Sequence, residues 1–365
     1  MPEPPPTLVG QDDALELLRR AAARPGHAYL IAGPRGAGGP DVARTFAAAL
    51  VAPDGDERAV NLVHRHLHPD VIEFEPERSV ITVDQARDDI VPEAWSSPIE
   101  ADRKVLIILE AERLQPEAAN ALLKTFEEPP ERTVIVLVSD AADELLDTVR
   151  SRCQRINLGA VDEVTLEQAL RDAGVDAEDA RLAARLSGGQ LGRARELTGD
   201  TRALRDTFVD AATGLDGTGA SAGHAAEAML TAVHDSITAV RARHTDELAA
   251  FDEEADRAGY QPRDVRRLRR RMEERQPARE RLARRKALSE GIAALETLYR
   301  DALAGPDAPL RNLDRPPIDA DPRASVRALD ACREARDALE FNPNEGLLLE
   351  WLALHLPGSA STPPR

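Results

Sequence analysis

Residues 104 to 153 read KVLIILEAERLQPEAANALLKTFEEPPERTVIVLVSDAADELLDTVRSRC, and this stretch decides the fold. It opens with the apolar run Val105 to Leu109, closed by Glu110-Ala-Glu112. A short apolar run of this kind is the pattern of a parallel strand buried on both faces. A helix is predicted next, with Pro116 in its first turn and Ala118, Ala121, Leu122 and Phe126 at helical spacing. Glu127-Glu-Pro-Pro130 ends it, because proline has no N–H and disfavours helix in the residue before it. Val134 to Val138 is a second buried strand, followed by a short helix and Ser151-Arg152-Cys153. Strand, helix, strand, helix is an α/β core, and an acidic-ended strand raises the question of Mg²⁺ and nucleotide.

The whole chain has 365 residues, enough for two or three domains. Its composition, 42% hydrophobic and 31% charged, is that of a globular protein. No apolar run approaches the roughly 18 residues that span a bilayer. The opening MPEPPPTLVG has no basic or apolar signal region, so the expected compartment is the cytoplasm. Two cysteines, Cys153 and Cys332, can make neither a disulfide framework nor a cysteine-rich zinc site. A net charge of −18 argues against long-range attraction of the whole molecule to DNA. Of the 47 basic residues only Lys104, Lys124 and Lys286 are lysine; this arginine bias fits GC-rich coding and carries no functional reading.

The nucleotide question is answered upstream. His27 to Ala32 reads as a strand, followed by Gly33-Pro-Arg-Gly36-Ala-Gly38-Gly39-Pro40-Asp41 and a helix from about 41 to 51. Strand, glycine-rich turn and helix N-terminus is the setting of a phosphate-binding loop. A working loop, G-x-x-x-x-G-K-[ST], needs a lysine for the β/γ-phosphates and a hydroxyl for Mg²⁺. Aligned on Gly33 and Gly38, those positions hold Gly39 and Pro40. No lysine precedes Lys104, so no shift of register restores one. The acidic strand end fails the same test: a Mg²⁺-holding strand needs aspartate before its glutamate, and here Leu109 precedes Glu110. Two independent parts of an ATPase site are missing, and a degenerate site with no cofactor is expected.

His64, His66 and His68 alternate between these motifs. Alternate residues of an extended segment share a face, so a metal site is geometrically open. No cysteine or fourth ligand is near, and the expectation is a solvated loop with no metal. Asp84 is a candidate helix cap after Ile81-Thr82-Val83.

Taken together, Val9-Gly10-Gln11, the loop 33–41, Ser97-Pro98 with Arg103-Lys104, Asn120 to Lys124 with Glu127 to Pro130, and Ser151-Arg152-Cys153 resemble a bacterial clamp-loader subunit of the AAA+ class. The match covers about the first 200 residues. Within that family the missing lysine and aspartate are similar to the member that does not hydrolyse ATP. A four-cysteine zinc module common among relatives would fall near 52–68 and is absent here. The resemblance implies an α/β AAA+-like parallel-sheet domain (1–160), a small helical lid (161–204) and an all-α collar domain (205–357), with a charged insert at 241–286 and a disordered tail at 358–365.

It also implies a role for Arg152. In clamp loaders the arginine of the Ser-Arg-Cys motif, flanked here by Ser151 and Cys153, reaches the nucleotide of a neighbouring subunit. A planar, permanently charged guanidinium suits a γ-phosphate in its transition state. Arg193, after Gly192, is placed like the sensor-2 arginine, but with no phosphate loop to serve it is expected to be a packing or surface residue. The implied partners are the clamp-loader ATPase subunits and the clamp-opening subunit, with the sliding clamp and primed DNA reached through the complex and no membrane. The chain would be a non-hydrolysing subunit of a nucleotidyltransferase complex in DNA replication.

Two rival readings are a self-sufficient ATPase of the same fold and a DNA-binding module. The second rests on 241–286, where an acidic arm (Asp246 to Asp256), a turn at Gly259 to Pro262 and a basic arm (Arg263 to Arg285) follow one another. A self-neutralising helical hairpin, its basic arm broken near Pro277, is the reading preferred for that insert. Phe341-Asn-Pro-Asn344 then precedes an amphipathic helix over 346–356, read as part of the collar.

Overall fold

The computed structural model describes residues 9–34, 36–76, 80–305, 308–341 and 343–358. The proline-rich lead-in up to residue 8, Arg35 and the tail from 359 lie outside the described residues, as do the side chains of Arg271 and Arg275. The elements run α1 (Asp12–Ala23), β1 (Ala28–Ala32), α2 (Gly39–Val51), α3 (Glu57–His64), β2 (Val71–Phe74), α4 (Val83–Gln85), α5 (Val91–Trp95), β3 (Lys104–Ile108), α6 (Pro116–Glu127), β4 (Thr133–Ser139), α7 (Asp147–Arg150) and β5 (Gln154–Asn157). The remainder is helical: α8 (Glu163–Asp172), α9 (Ala177–Ser187), α10 (Leu191–Glu196), α11 (Asp200–Thr213), α12 (Gly219–Ala258), α13 (Pro262–Ala302), α14 (Pro322–Ala338) and α15 (Glu345–His355). A parallel α/β domain followed by a long helical region is the fold class read from the sequence.

The five strands form one parallel sheet in the order β2-β3-β4-β1-β5. Parallel neighbours need crossovers, and helices supply them on both faces. Alternation then sorts the side chains. Tyr29, Ile31, Val105, Ile107, Val134 and Val136 pack on one face with Val42 and Phe46 of α2. Leu30, Leu106, Ile108, Ile135 and Leu137 pack on the other with Leu122 and Phe126 of α6 and Ile90. β5 has only Ile156 buried, so its pattern does not stand out in the sequence.

Helices α4 and α5 are one continuous helix joined by a π-turn over Ala86–Ile90, in which Val91 donates to the Ala86 carbonyl. Pro92 lacks an N–H for the ordinary i−4 bond, and a widened turn just before it accommodates that loss. Thr82, not Asp84, caps this helix by accepting from the Gln85 N–H at 3.2 Å. The hydroxyl stands at the extended residue before the helix, where a cap must be, and Asp84 is already inside it.

His64 and His66 keep partial exposure, with His66 Nδ1 2.9 Å from Glu73, but the third histidine is not solvated. His68 is buried, its Nδ1 accepting from the Asp70 N–H at 3.1 Å and its Nε2 facing Glu100 at 3.3 Å. Burial holds its pKa below the usual histidine value, so it is a neutral structural imidazole. Asp70, fully buried, accepts from the N–H groups of Ile99 (2.6 Å), Glu100 and Ala101 (both 2.8 Å). This carboxylate fastens the 97–103 segment that leads into β3. Lys104, also fully buried, reaches Glu93 at 3.1 Å and Ser96, tying α5 to the sheet. Among the described residues no group of His, Cys, Asp and Glu could hold a metal ion.

The chain divides into two compact units. The first gathers the described residues up to Ala169 with Gly189–Gly192 and Asp246–Ala278; the second gathers Leu170–Gly188, Arg193–Thr245 and the described residues from Arg279 onward. The second unit has its own core, in which Phe208, Met229, Leu295, Tyr299, Leu349 and Leu352 are buried together. A polar staple closes it: buried Arg205 donates to Asp314 at 2.8 and 2.9 Å and to Asn312 at 2.6 Å.

The charged insert is a helical hairpin, with Arg241 paired to Glu280 and Arg269 to Asp252 across the arms. α13 runs unbroken through Pro277. A proline inside a helix costs on the order of 3 kcal/mol, but full turns on both sides hold the helix cooperatively. The distal part of the hairpin does more than neutralise itself. Phe251, Ala255 and Leu268 bury against Leu62 and Leu67, after which Arg58 pairs with Glu254 at 2.7 Å and Tyr260 donates to Glu100 at 2.8 Å.

Two stability measurements check this description. Asp70→Ala removes the acceptor of three backbone donors and should cost about 3 kcal/mol in urea unfolding. Phe251→Ala should cost about 3 kcal/mol as a docked core residue; a hairpin free in solvent would lose almost nothing.

Candidate functional site

The C-terminal ends of parallel strands, where the strand order reverses, are where such sheets place their ligands. Here the ends of β1, β3 and β4 converge on the loop 33–39. Gly38 is in the left-handed conformation at the N-cap of α2, and Gly39 and Pro40 open the helix as expected for a phosphate loop. The loop, however, is packed from within the first unit. A Cβ on Gly33 would stand 2.7 Å from Leu158 Cβ, and one on Gly36 would stand 2.6 Å from Gln190 Cβ. Gln11, buried, donates to the carbonyls of Ala37 (3.2 Å) and Gly159 (2.8 Å). The glycines here admit close neighbours; the two side-chain groups that would grip phosphate and metal are absent from the sequence.

Just inside α2, Arg44 takes a different carboxylate. Its Nε and Nη2 meet both oxygens of Glu73 at 2.8 and 2.9 Å, and Nη1 meets Asp41 at 2.9 Å. The guanidinium holds the buried Glu73 carboxyl well below the usual carboxylate range despite its desolvation. This pair anchors α2 to β2 and is fully occupied.

Leu109 is buried in the apolar cluster beneath α2, so the position of the metal-holding carboxylate is core. Glu110 turns in the left-handed conformation and pairs with Arg113. Glu112 is the perturbed acid at this edge. Burial, with the carboxyl of Asp140 beside it, pushes it up to about 7.

The other end of the opening stretch presents charge outward. Arg152 follows α7 and keeps 35% of its side chain exposed. Its Nη1 donates to the Thr148 carbonyl at 2.8 Å and lies 3.4 Å from Ser151 Oγ; its Nη2 donates to Glu127 at 2.5 Å. Arg150 pairs with Asp143 and Asp147, and Arg155 with Asn157 and Asp143. Ser151 is exposed, while Cys153 is half-buried against the sheet and its thiol is pushed up to about 12 by burial. Arg193, in the second unit, pairs with Glu290 at 3.0 Å. The geometry thus joins two motifs, Glu127 and Arg152, that the sequence separates. Gln190 and Leu158 as cover for the loop, and Glu127 as more than a helix stop, carry no local sequence signal, because each acts across a chain crossing.

Residues 10–162 match the family model described as DNA polymerase III, delta subunit. The chain is 36% identical over 190 residues to the DNA polymerase III subunit delta' of Pseudomonas aeruginosa, covering 48% of this chain and 57% of that protein. It is 30% identical over 168 residues to the Bacillus subtilis subunit delta', 44% of this chain and 50% of that protein. Against the subunit tau/gamma of Haemophilus influenzae it is 32% identical over 172 residues, 45% of this chain and 25% of that protein. The chain spans about half the length of the curated delta' relatives it matches. Over that region the resemblance read from the sequence is shown, and it is to the delta' subunit of the clamp loader. Among the described residues no helix is long and apolar enough to cross a membrane.

Glu112 gives a pH test of the site edge. Its raised pKa means the folded chain holds a proton that the unfolded chain releases near 4.5. The associated stability is full below that value and is lost as pH rises through about 7. Glu112→Gln should therefore be near neutral at pH 5 and stabilising at pH 8, by about 1 kcal/mol after solvent screening. Equal urea midpoints for the two proteins at both pH values would remove the buried-acid assignment.

Proposed function

We propose that this chain is a non-hydrolysing subunit of the replicative clamp loader, acting as a stator and lending Arg152 to a neighbouring ATPase subunit. The observation that carries the reading is a pairing of loss and retention. Gly39, Pro40 and Leu109 remove the groups that hold triphosphate and Mg²⁺, yet the chain keeps an outward guanidinium on the adjoining motif. Such a chain contributes to hydrolysis only where a second protein brings the ATP. The relatives named delta' and tau/gamma support the setting of a DNA polymerase III clamp loader in DNA replication.

In this reading the partners are the ATPase subunits and the clamp-opening subunit, and the sliding clamp and primed DNA are reached through the assembly. Residues 161–204 serve as a lid and 205–357 as the collar that joins the ring. The chain takes no nucleotide or metal of its own. Docking of the hairpin tip against Leu62 and Leu67 favours a structural role for the insert over a DNA-binding arm.

Two measurements test this. The isolated chain should show no ATP binding by calorimetry with Mg²⁺ at millimolar nucleotide; saturable binding with turnover would establish the self-sufficient ATPase instead. In the assembled loader, Arg152→Ala should lower turnover at the neighbour's site by on the order of 10³. Unchanged turnover would remove the finger.

A further inference from the structure

The ion pair between Arg152 and Glu127 assigns a task to a residue that the motif alone reads as a helix stop. We infer that Glu127 is a positioning residue, holding the Arg152 guanidinium in the pose from which it meets a neighbour's phosphate. The inference rests on the reading of Arg152 as an arginine finger.

Three observations carry it. The first is the pattern of contacts on the guanidinium. Nη1 is fixed by the Thr148 carbonyl and Ser151 Oγ, and Nη2 by Glu127, on two sides of a planar group. Among the described residues Nε has no partner, so one edge of the fork remains to receive an oxyanion. A guanidinium held at both terminal nitrogens has few rotamers left, and its Nε–H is the donor that remains to meet an oxyanion.

The second is the selectivity of the pairing. Arg150 and Arg155 share Asp143, and Glu127 is taken by Arg152. Three arginines stand within six residues, and the acid from α6 meets only the middle one, Arg152.

The third is that helix stability does not account for Glu127. It is the last residue of α6, where the carbonyl end of the helix disfavours negative charge. The side chain is about half exposed, and an ion pair in such a position contributes little to folding. An acid that is unfavourable for its own helix and nearly neutral for the fold is accounted for by what it does to Arg152.

The test uses the full chain in the assembled loader, with ATP turnover measured for Glu127→Ala, Glu127→Asp, Arg152→Ala and the Glu127→Ala/Arg152→Ala double variant. A finger that loses its brace keeps its charge but samples other rotamers, so the loss falls on the chemical step. Glu127→Ala should lower kcat about tenfold with KM for ATP and assembly unchanged, and Glu127→Asp should recover part of the loss. In the Arg152→Ala background Glu127→Ala should cost nothing more, because Glu127 acts through Arg152. Unchanged turnover in Glu127→Ala, an additive loss in the double variant, or loss of assembly would each overturn the positioning role while leaving the finger standing. Unchanged turnover in Arg152→Ala alone would instead overturn the finger and, with it, this inference.

Discussion

A parallel sheet with both faces covered sets the terms for everything else in this chain. Helices cover both of its faces, so the inner strands must be largely apolar on both, and the crossovers must be helices. β3 and β4 are buried along their whole lengths, and Lys104 enters the core with Glu93 and Ser96 receiving its ammonium. The same constraint delivers the loop 33–39, the Leu109-Glu110 step and the Ser139-Asp140 step to one edge. Whatever chemistry the fold performs must use what arrives there.

What arrives is a glycine-rich loop at a helix N-terminus, with Gly39, Pro40 and Leu109 where a phosphate loop and its metal strand would need lysine, hydroxyl and aspartate. These positions are packed: Leu109 lies in the core, and the loop is covered by Leu158, Gln190 and the amide of Gln11. The glycines persist in a role that still needs them, since a side chain at Gly33 or Gly36 would collide with that cover. In the proposed function a packed core and a permanently charged group at its rim suit a chain that serves another subunit's ligand.

The segment 52–70 is held by polar and apolar contacts, with no cysteine in it. His68, Asp70 and Glu100 form a buried polar knot, and the hairpin tip adds Phe251, Leu268 and the Arg58–Glu254 pair. The hairpin's alternating charge reads locally as self-neutralisation, which holds for Arg269 with Asp252. Its apolar residues at 251, 255 and 268 are spaced for a face, and a face needs something to cover.

The sequence alone determined the α/β class, the buried strands at 105–109 and 134–138, the helix stop at Glu127 and the loss of the nucleotide-binding groups. Each is a local property: an apolar run, a proline, or the identity of one residue at one spacing. It did not determine β5, where a single buried residue leaves no pattern. It misplaced the cap at Asp84, where backbone conformation rather than residue type decides. It left His68 in solvent, because its place against Asp70 and Glu100 is set by the fold. Only the tertiary structure decided that Glu127 meets Arg152, that Gln190 covers Gly36 and that the hairpin tip docks against α3. Those contacts join residues 25 to about 200 positions apart, and no periodicity extends across a chain crossing.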